Sequence, residues 1–317
     1  MSGISFIVTV YNKREFLPRV VAALARQSGA FAREFIFVDD GSSDGSAELI
    51  AELTAAWRDP VVILRQPNRG ASAATNAGAA RASLPWLKLV DGDDLLVPGA
   101  SAWLLEAAAA TRTSLAWGDL GTYRNDDPEP LAGDWPAPPF AAEPDGLRRF
   151  IRNCAANSSS ILVSAERYRA AGGCDERLIS PDQALFLRLF AVGGGVHVEG
   201  PVALIPDRAA GRLSGQERRS RYESVLALYH LLTETPGLSE AHARFAYRRA
   251  LSRAYRFQRA HGGPILFTGH FLRLVKSRLS AAVDIDAVYR ALGAFTEDGS
   301  CERPAAWLPG ALRRSES

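Results

Sequence analysis

Four short, mostly apolar runs, each too short for a helix and each spaced from the next by helical signals, constrain the first hundred residues more than anything else in this chain. Ile4–Val10 is apolar or β-branched at nearly every position. A strand with one face in water alternates, whereas a run without alternation is buried on both faces, as parallel sheets require. Phe35–Val38, Val61–Leu64 and Trp86–Val90 repeat the pattern. Between them, Phe16, Leu17, Val20, Val21 and Leu24 recur at helical spacing. Ser46–Trp57 places Leu49, Ile50, Leu53 and Trp57 on one helical side, and Ala71–Ala82 reads as a helix of small residues. This alternation predicts an α/β fold with a mainly parallel, doubly wound sheet. Such sheets take their ligands beyond the carboxyl ends of the strands, so the polar residues that follow each strand carry the functional information.

Beyond Leu115–Gly118 the composition changes. Residues 128–144 hold six of the 18 prolines, which predicts no regular structure there and a functional loop or lid instead. Helix and strand signals resume through 146–205. From Gln216 the pattern is helical, with breaks at Pro236-Gly237 and Gly262-Gly263-Pro264. The expected organisation is a catalytic domain over 1–215, with a ligand-binding half at 1–118 and a second half at 119–215, followed by a helical extension over 216–317. A chain of 317 residues suits two domains or one enlarged one.

Composition narrows the class. With 47% hydrophobic and 23% charged residues the chain reads as soluble and globular, and no run of eighteen apolar residues predicts a membrane span. No basic segment precedes the first strand, which argues against a signal peptide. Cys154, Cys174 and Cys301 are far apart and read as reduced thiols of a cytoplasmic protein. Asn157-Ser158-Ser159 is a formal glycosylation sequon and reads as chance in that compartment. The net charge of +2 conceals an asymmetry: from Arg208 onward 18 basic residues face 10 acidic ones, leaving 19 of the 37 bases and 25 of the 35 acids in 1–207. A basic tail behind an acidic front suggests different partners for the two halves, or a solvated arginine-rich surface. No nucleic-acid-binding module is recognisable, so no nucleic-acid partner is expected. Arg244, Arg248, Arg249, Arg253 and Arg256 form a basic ridge beside Phe245, Tyr247 and Phe257. Ile265–Leu279 is apolar with basic residues interspersed. Three readings stay open for it: a membrane-surface helix at the inner face of a membrane, a homo-oligomer contact, or a helix packed on the catalytic domain.

Three polar clusters follow three of the strands. Thr9-Val10-Tyr11-Asn12 ends the first, Asp39-Asp40-Gly41-Ser42-Ser43-Asp44-Gly45 the second, and Asp91-Gly92-Asp93-Asp94 the fourth. Brought to one sheet edge, these carboxylates repel unless a cation or hydrogen-bond donors compensate. Hard oxygen donors suit Mg²⁺ or Mn²⁺ carrying a substrate diphosphate. A calcium loop starting at Asp40 is rejected, because Ala51 stands where the twelfth position needs a bidentate glutamate. Asp44 or Ser43 reads as a cap of the next helix, and a plain turn is the alternative for Asp91–Asp94.

The run Phe6–Asn12, the segment Ile36–Ser46, Asn68-Arg69-Gly70 through Asn76-Ala77-Gly78, and Leu89–Asp94 together resemble the opening of family 2 glycosyltransferases of the GT-A fold, over roughly residues 4–100. The resemblance implies a hexosyltransferase-type enzyme acting on a nucleotide-sugar donor, with UDP the expected nucleotide, an unidentified hydroxyl acceptor (glycan or lipid-linked) and inversion of configuration. It implies that Asp39 binds the base and that Val10 and Tyr11 line the base pocket. Thr9, Asp40, Asn68, Gly70, Asn76 and Gly92 join the donor site. Asp91 and Asp93 form the family's Asp-x-Asp motif, with Asp93 the more direct ligand of Mn²⁺ or Mg²⁺ and Asp91 nearer the ribose.

Ala171-Gly172-Gly173-Cys174-Asp175-Glu176 is similar to the family's Gly-Gly-Phe-Asp-Glu signature, and Asp182–Arg188 to its Glu-Asp-x-x-Leu-x-x-Arg stretch. Asp182 thereby inherits the role of general base, which takes the acceptor's proton as the new bond forms; a helix cap is its other reading. Pro181 stands where the family has glutamate, and Thr75 where it often has arginine. No histidine occurs in Arg208–Ser214, which leaves Arg208 or Arg212 as a substitute phosphate clamp. His197 reads as structural. An inactive nucleotide-sugar-binding or scaffold protein is the alternative from a different class. Sugar-1-phosphate nucleotidylyltransferases would need a glycine- and arginine-rich loop after the first strand, and dehydrogenases a G-x-G-x-x-G; both are absent.

Overall fold

A computed structural model of the chain describes residues 2–154, 156–178, 180–207, 217–261, 266 and 268–295. Arg208, Arg212, the Gly262-Gly263-Pro264 break, Ile265 and Cys301 lie outside the described residues. The chain divides into two compact units, Met1–Gly211 and Arg212–Ser317.

The first unit is built on β1 (Gly3–Val10), β2 (Ala32–Asp39), β3 (Val61–Arg65), β4 (Trp86–Asp91), β5 (Leu95–Leu96), β6 (Leu115–Tyr123), β7 (Phe140–Glu143), β8 (Ile161–Ser164) and β9 (Gly195–Pro206). They form one sheet in the order β3-β2-β1-β4-β8-β6-β9-β5, with β7 paired to β9. The strands β3, β2, β1 and β4 are parallel, as their mostly apolar runs without alternation predict. Beyond β4 the sheet turns mixed, because β8 runs antiparallel to both β4 and β6. The helices α1 (Leu17–Ala25), α2 (Ser46–Thr54) and α3 (Ala71–Arg81) connect the parallel strands, α4 (Ala100–Thr111) leads into β6, and α5 (Gly146–Arg152), α6 (Ala165–Ala170) and α7 (Asp182–Val192) follow.

The core explains the pattern of residues. Phe6, Phe35 and Phe37 are fully buried, and Phe6 stacks on Phe35 at 4.9 Å between ring centroids. Burying such a side chain stabilises by about 1.5–3 kcal/mol. On the other face α3 can lie close because its residues are small: a Cβ on Gly78 would come within 2.4 Å of Ile7 Cγ2. Helix α2 ends at Thr54, three residues before the expected Trp57. Thr54 Oγ1 donates to the Ile50 carbonyl at 2.7 Å, Trp57 N closes a turn onto Thr54 O, and the indole packs edge-on against Phe35 at 4.6 Å.

The proline-rich segment differs from its reading as wholly irregular, since it contains β7. The prolines flank this strand, and Phe140–Glu143 between them pairs antiparallel with Gly195–Val198. Proline is tolerated at strand ends because no ladder N–H is needed there.

The second unit is helical among its described residues: α8 (Glu217–Glu234), α9 (Glu240–Ala260), α10 (Gly269–Leu279) and α11 (Ile285–Ala291), ending in a 3-10 turn at Leu292–Phe295. Tyr222, Phe257 and Phe295 gather at its centre. Part of the arginine ridge serves this packing: Arg248 donates to the Ser277 carbonyl at 2.9 Å and Arg253 to the Ser224 carbonyl at 2.8 Å. No helix of the described residues is long and apolar enough to cross a membrane.

Candidate active site

Strand register alone brings the three polar clusters together. Val10 pairs with Asp39, Thr9 with Asp91, and Asp39 with Arg65, all at the carboxyl ends of parallel strands. The loops are then laced to one another. Asp40 N donates to Val10 O at 2.8 Å, Asn12 N to Ser42 Oγ at 2.9 Å, and Ser43 N to Asn12 Oδ1 at 2.9 Å. Asn12 takes a positive φ of 51°, a conformation asparagine tolerates better than most residues. Tyr11 beside it is half exposed at 49%.

The acidic residues divide by what holds them. Asp39 is buried, accepts from Ser42 N at 3.0 Å and meets Arg65 Nε at 3.3 Å. Asp40 spends both oxygens on the next loop: Oδ1 accepts from Gln66 Nε2 at 2.7 Å and Arg69 N at 2.9 Å, and Oδ2 from Gly70 N at 2.8 Å. This fixes Asn68-Arg69-Gly70, with the Asn68 side chain exposed. Asp44 accepts from Arg14 N, Ser46 N and Ser46 Oγ, so it organises the start of α2 as expected. Burial pushes its carboxyl up, but those hydrogen bonds outweigh burial and hold it below the usual range.

Asn76 is saturated. Its Oδ1 accepts from Tyr168 Oη at 2.7 Å and Cys174 N at 2.9 Å, and its Nδ2 donates to Cys174 O and Glu176 Oε1. Arg69 Nη2 meets Glu176 at 2.9 Å, while Asp175 is pinned by Arg177 and Arg188. The Gly172–Glu176 segment is thus clamped onto α3. Burial pushes the Cys174 thiol up to about 12.

Asp91, Asp93, Asp94 and Asp182 form the charged centre. Gly92 leaves no room for a side chain, since a Cβ would stand 2.7 Å from Thr9 O. Asp93 Oδ2 lies 2.7 Å from Lys13 Nζ, and Asp93 O accepts from Tyr123 Oη at 2.8 Å. Asp94 Oδ2 accepts from Asn157 Nδ2 at 2.7 Å, and Asp182 Oδ1 from Ser158 Oγ at 2.9 Å. Ser159 Oγ accepts from Asp91 N at 2.9 Å. Asp182 opens α7 behind Pro181, and its side chain reaches across to Ser158. The Asp91 carboxyl is raised well above the ordinary range, first by its removal from water, then by the charges of Asp94, Asp182 and Asp93; Lys13 opposes the rise. Beneath the centre Lys88 is fully buried, donating to the Ser159 and Leu89 carbonyls. Burial brings its ammonium down to about 7, against the pull of Asp94 and Asp91. Among the described residues, these carboxylates share Lys13 and a lysine that is only partly charged near neutrality. The donors are hard carboxylate oxygens at one strand edge, a chemistry that suits a divalent Mg²⁺ or Mn²⁺ ion.

Sequence reasoning missed Lys13, Lys88, Tyr123 and the role of the Asn157–Ser159 segment. Lys88 carried a signal: one charge inside a strand read as buried on both faces demands nearby partners. Asn157–Ser159, read as a chance sequon, carried none, because β8 reaches β4 from more than sixty residues away. His197, read as structural, lies in β9, stacked on Trp117 at 3.9 Å and bonded through Nε2 to Asp119 Oδ1 at 2.8 Å.

A parallel sheet whose carboxyl edge gathers acidic loops, extended by a mixed half that returns a further carboxylate to the same edge, defines an α/β fold with one acidic ligand-binding edge. Comparison agrees in fold with S. aureus TarS 1-349 in complex with UDP-GlcNAc, at a TM-score of 0.64 and 14% identity over 92% of this chain and 88% of that one. The mannosyltransferase PcManGT from Pyrobaculum calidifontis, in complex with GDP-Man and Mn²⁺, aligns at a TM-score of 0.50 and 14% identity over 96% and 77%. Both are GT-A glycosyltransferases, and at this identity the likeness concerns the fold. The family model for glycosyl transferase family 2 matches residues 5–165. The chain belongs to glycosyl transferase family 2. In sequence it is 31% identical to the succinoglycan biosynthesis protein ExoO of Rhizobium meliloti (strain 1021) over 119 residues, 37% of this chain and 33% of the relative. It is 31% identical to poly-beta-1,6-N-acetyl-D-glucosamine synthase of Staphylococcus aureus over 109 residues, 33% and 25%. The matched stretches span a third or less of these relatives.

Proposed function

We propose that this glycosyltransferase moves a sugar from a UDP-sugar to an acceptor hydroxyl, with inversion and with the help of a divalent metal ion. The observation that carries the reading is the convergence of Asp39, Asp91, Asp93 and Asp182 on one sheet edge, with Asp91 destabilised as an anion by its neighbours. Asp39 takes the base, Val10 and Tyr11 flank it, and Thr9, Asn68, Gly70, Asp91 and Gly92 complete the donor pocket. Asp40 and Asn76 act on the donor through the loops they brace. Mg²⁺ or Mn²⁺ held by Asp93 and Asp91 would supply charge stabilisation for the departing diphosphate. Asp182 accepts the proton of the acceptor hydroxyl while the hydroxyl oxygen bonds to the anomeric carbon from the face opposite the nucleotide. The nucleoside diphosphate leaves with the bonding electron pair, which inverts the anomeric centre. Ser158 fixes the orientation of Asp182 for this transfer.

The choice of UDP draws on TarS, whose solved complex holds UDP-GlcNAc, and on the family resemblance. A panel of UDP-, GDP- and dTDP-sugars with Mn²⁺, scored for slow donor hydrolysis and thermal stabilisation of the protein, tests it. UDP-sugars are expected to stand out; stabilisation by a GDP- or dTDP-sugar alone would reassign the donor.

A further inference from the structure

Helix α10 carries an apolar row on its exposed side. Thr268 caps its N-terminus by accepting from Phe271 N at 3.1 Å, so its start is well defined. Its inward side is mixed: Ser277 and His270 are buried, the Ser277 carbonyl accepts from Arg248 on α9, and Phe271 and Leu274 are half-buried, with Phe271 near Tyr255. Its outward side is apolar. Leu272, Val275 and Leu279 are exposed by 54%, 37% and 84%. Their spacing of three and four residues puts them in one row along the helix. Leu266, also exposed, stands just before the helix. Four of the seven large hydrophobic side chains that are exposed among the described residues thus fall within 266–279. An ordinary surface helix does the reverse, with its apolar stripe facing inward.

Charge decides what covers this row. At about 100° per residue, Lys276 sits beside Leu272 and Leu279 on one flank, with Arg273 beyond it, and Arg278 borders the opposite flank. Lys276 is 72% exposed and stands 3.8 Å from Asp284, a loose contact that leaves its ammonium in water. A second copy of the chain docked by two-fold symmetry would set these basic flanks against themselves. An excess of 18 basic over 10 acidic residues from Arg208 onward adds to that repulsion. A surface of anionic headgroups over acyl chains matches both features at once, the row and its rims.

We propose that the outward face of α10 docks this glycosyltransferase on an anionic lipid bilayer, with Leu272, Val275 and Leu279 entering the headgroup boundary and Arg273, Lys276 and Arg278 contacting the headgroups. One short helix gives reversible, salt-sensitive binding and no anchorage. The inference is independent of the donor chemistry.

The test is flotation of the full chain with vesicles of equal parts phosphatidylcholine and phosphatidylglycerol, against vesicles of phosphatidylcholine alone, at low and high salt. The parent is expected to float with the anionic vesicles at low salt and to be released by salt. Leu272→Gln/Leu279→Gln is expected to lose binding at least about tenfold. Arg273→Gln/Lys276→Gln/Arg278→Gln is expected to lose on the order of 100-fold. Both variants should melt like the parent, with the same stabilisation by UDP, which separates lost docking from lost fold. The proposal is overturned if the parent stays at the bottom with anionic vesicles at low salt, or if the leucine variant floats as the parent does. It is also overturned if the parent sediments as a dimer that the leucine substitutions dissociate and does not float.

Discussion

Replacing Asp40 separates a brace from a ligand. Its carboxylate is buried and takes three hydrogen bonds, from Gln66 Nε2, Arg69 N and Gly70 N. Asp40→Asn can keep one oxygen for Gln66 and Arg69, but it turns an amide N–H₂ toward the Gly70 N–H, donor against donor. One charge-assisted bond is lost and one buried donor is left without an acceptor, a cost of about 2–3 kcal/mol. Asp40→Ala strands all three donors and costs about 4 kcal/mol, since water can enter beside the exposed loop and satisfy part of them. For a domain of this size 1 kcal/mol moves the melting temperature by about 2–4 °C. The expected falls are therefore about 4–12 °C for asparagine and about 8–16 °C for alanine. Differential scanning calorimetry reads the melting, and titration with UDP well below the transition reads the donor site. If Asp40 is a brace, the asparagine variant keeps UDP affinity within about fivefold while its melting temperature drops. An unchanged melting temperature with UDP affinity lost more than tenfold would refute the reasoning and make Asp40 a donor ligand.

Two further substitutions and one labelling experiment follow from the same geometry. Asp182→Asn keeps the size of the side chain and removes the basic carboxylate; turnover is expected to fall at least about 100-fold with donor affinity within a few-fold, and near-normal turnover would send the search for the base to Asp175, Glu176 or Asp119. Ser158→Ala removes the hydroxyl that orients Asp182, so kcat is expected to fall by roughly tenfold with KM for the donor unchanged, as measured by initial rates. The Cys174 thiol, buried and pushed up to about 12, is expected to resist iodoacetamide at pH 8 in the native protein and to react only after unfolding, read by mass spectrometry of the labelled peptide. Rapid native labelling at Cys174 would mean that the Gly172–Glu176 segment opens.

The parallel half of the sheet was legible in the sequence because β1, β2 and β4 are buried on both faces, the edge strand β3 is half-buried, and each says so in four to seven mostly apolar residues. The acidic loops were legible for a related reason: the carboxyl edge of such a sheet is where polar residues are expected, and Asp39, Asp91 and Asp93 sit there. What the sequence concealed depends on distant contacts. Whether Asp40 and Asn76 face a ligand or a neighbouring loop is decided by Gln66, Gly70, Tyr168 and Cys174, and no local pattern encodes those pairings. The Asn157–Ser159 floor of the site depends on β8 inserting between β4 and β6, a topology that its three apolar residues cannot announce. Strand β7 was masked by the prolines on both sides of it. Which of the three readings of Ile265–Leu279 fits was equally hidden, since an apolar row at helical spacing looks the same buried or exposed until the packing of α9 is known.

The central claim is that the acidic edge holds donor and metal together, and UDP binding with and without metal tests it most directly. By isothermal titration, UDP is expected to bind the full chain at least about tenfold more tightly with Mn²⁺ than with EDTA, a coupling of about 1.4 kcal/mol or more. Asp93→Asn, which keeps the backbone carbonyl that accepts from Tyr123, is expected to melt within a few degrees of the parent and to lose that gain. Equal UDP affinity of the parent protein in Mn²⁺ and in EDTA would contradict the account.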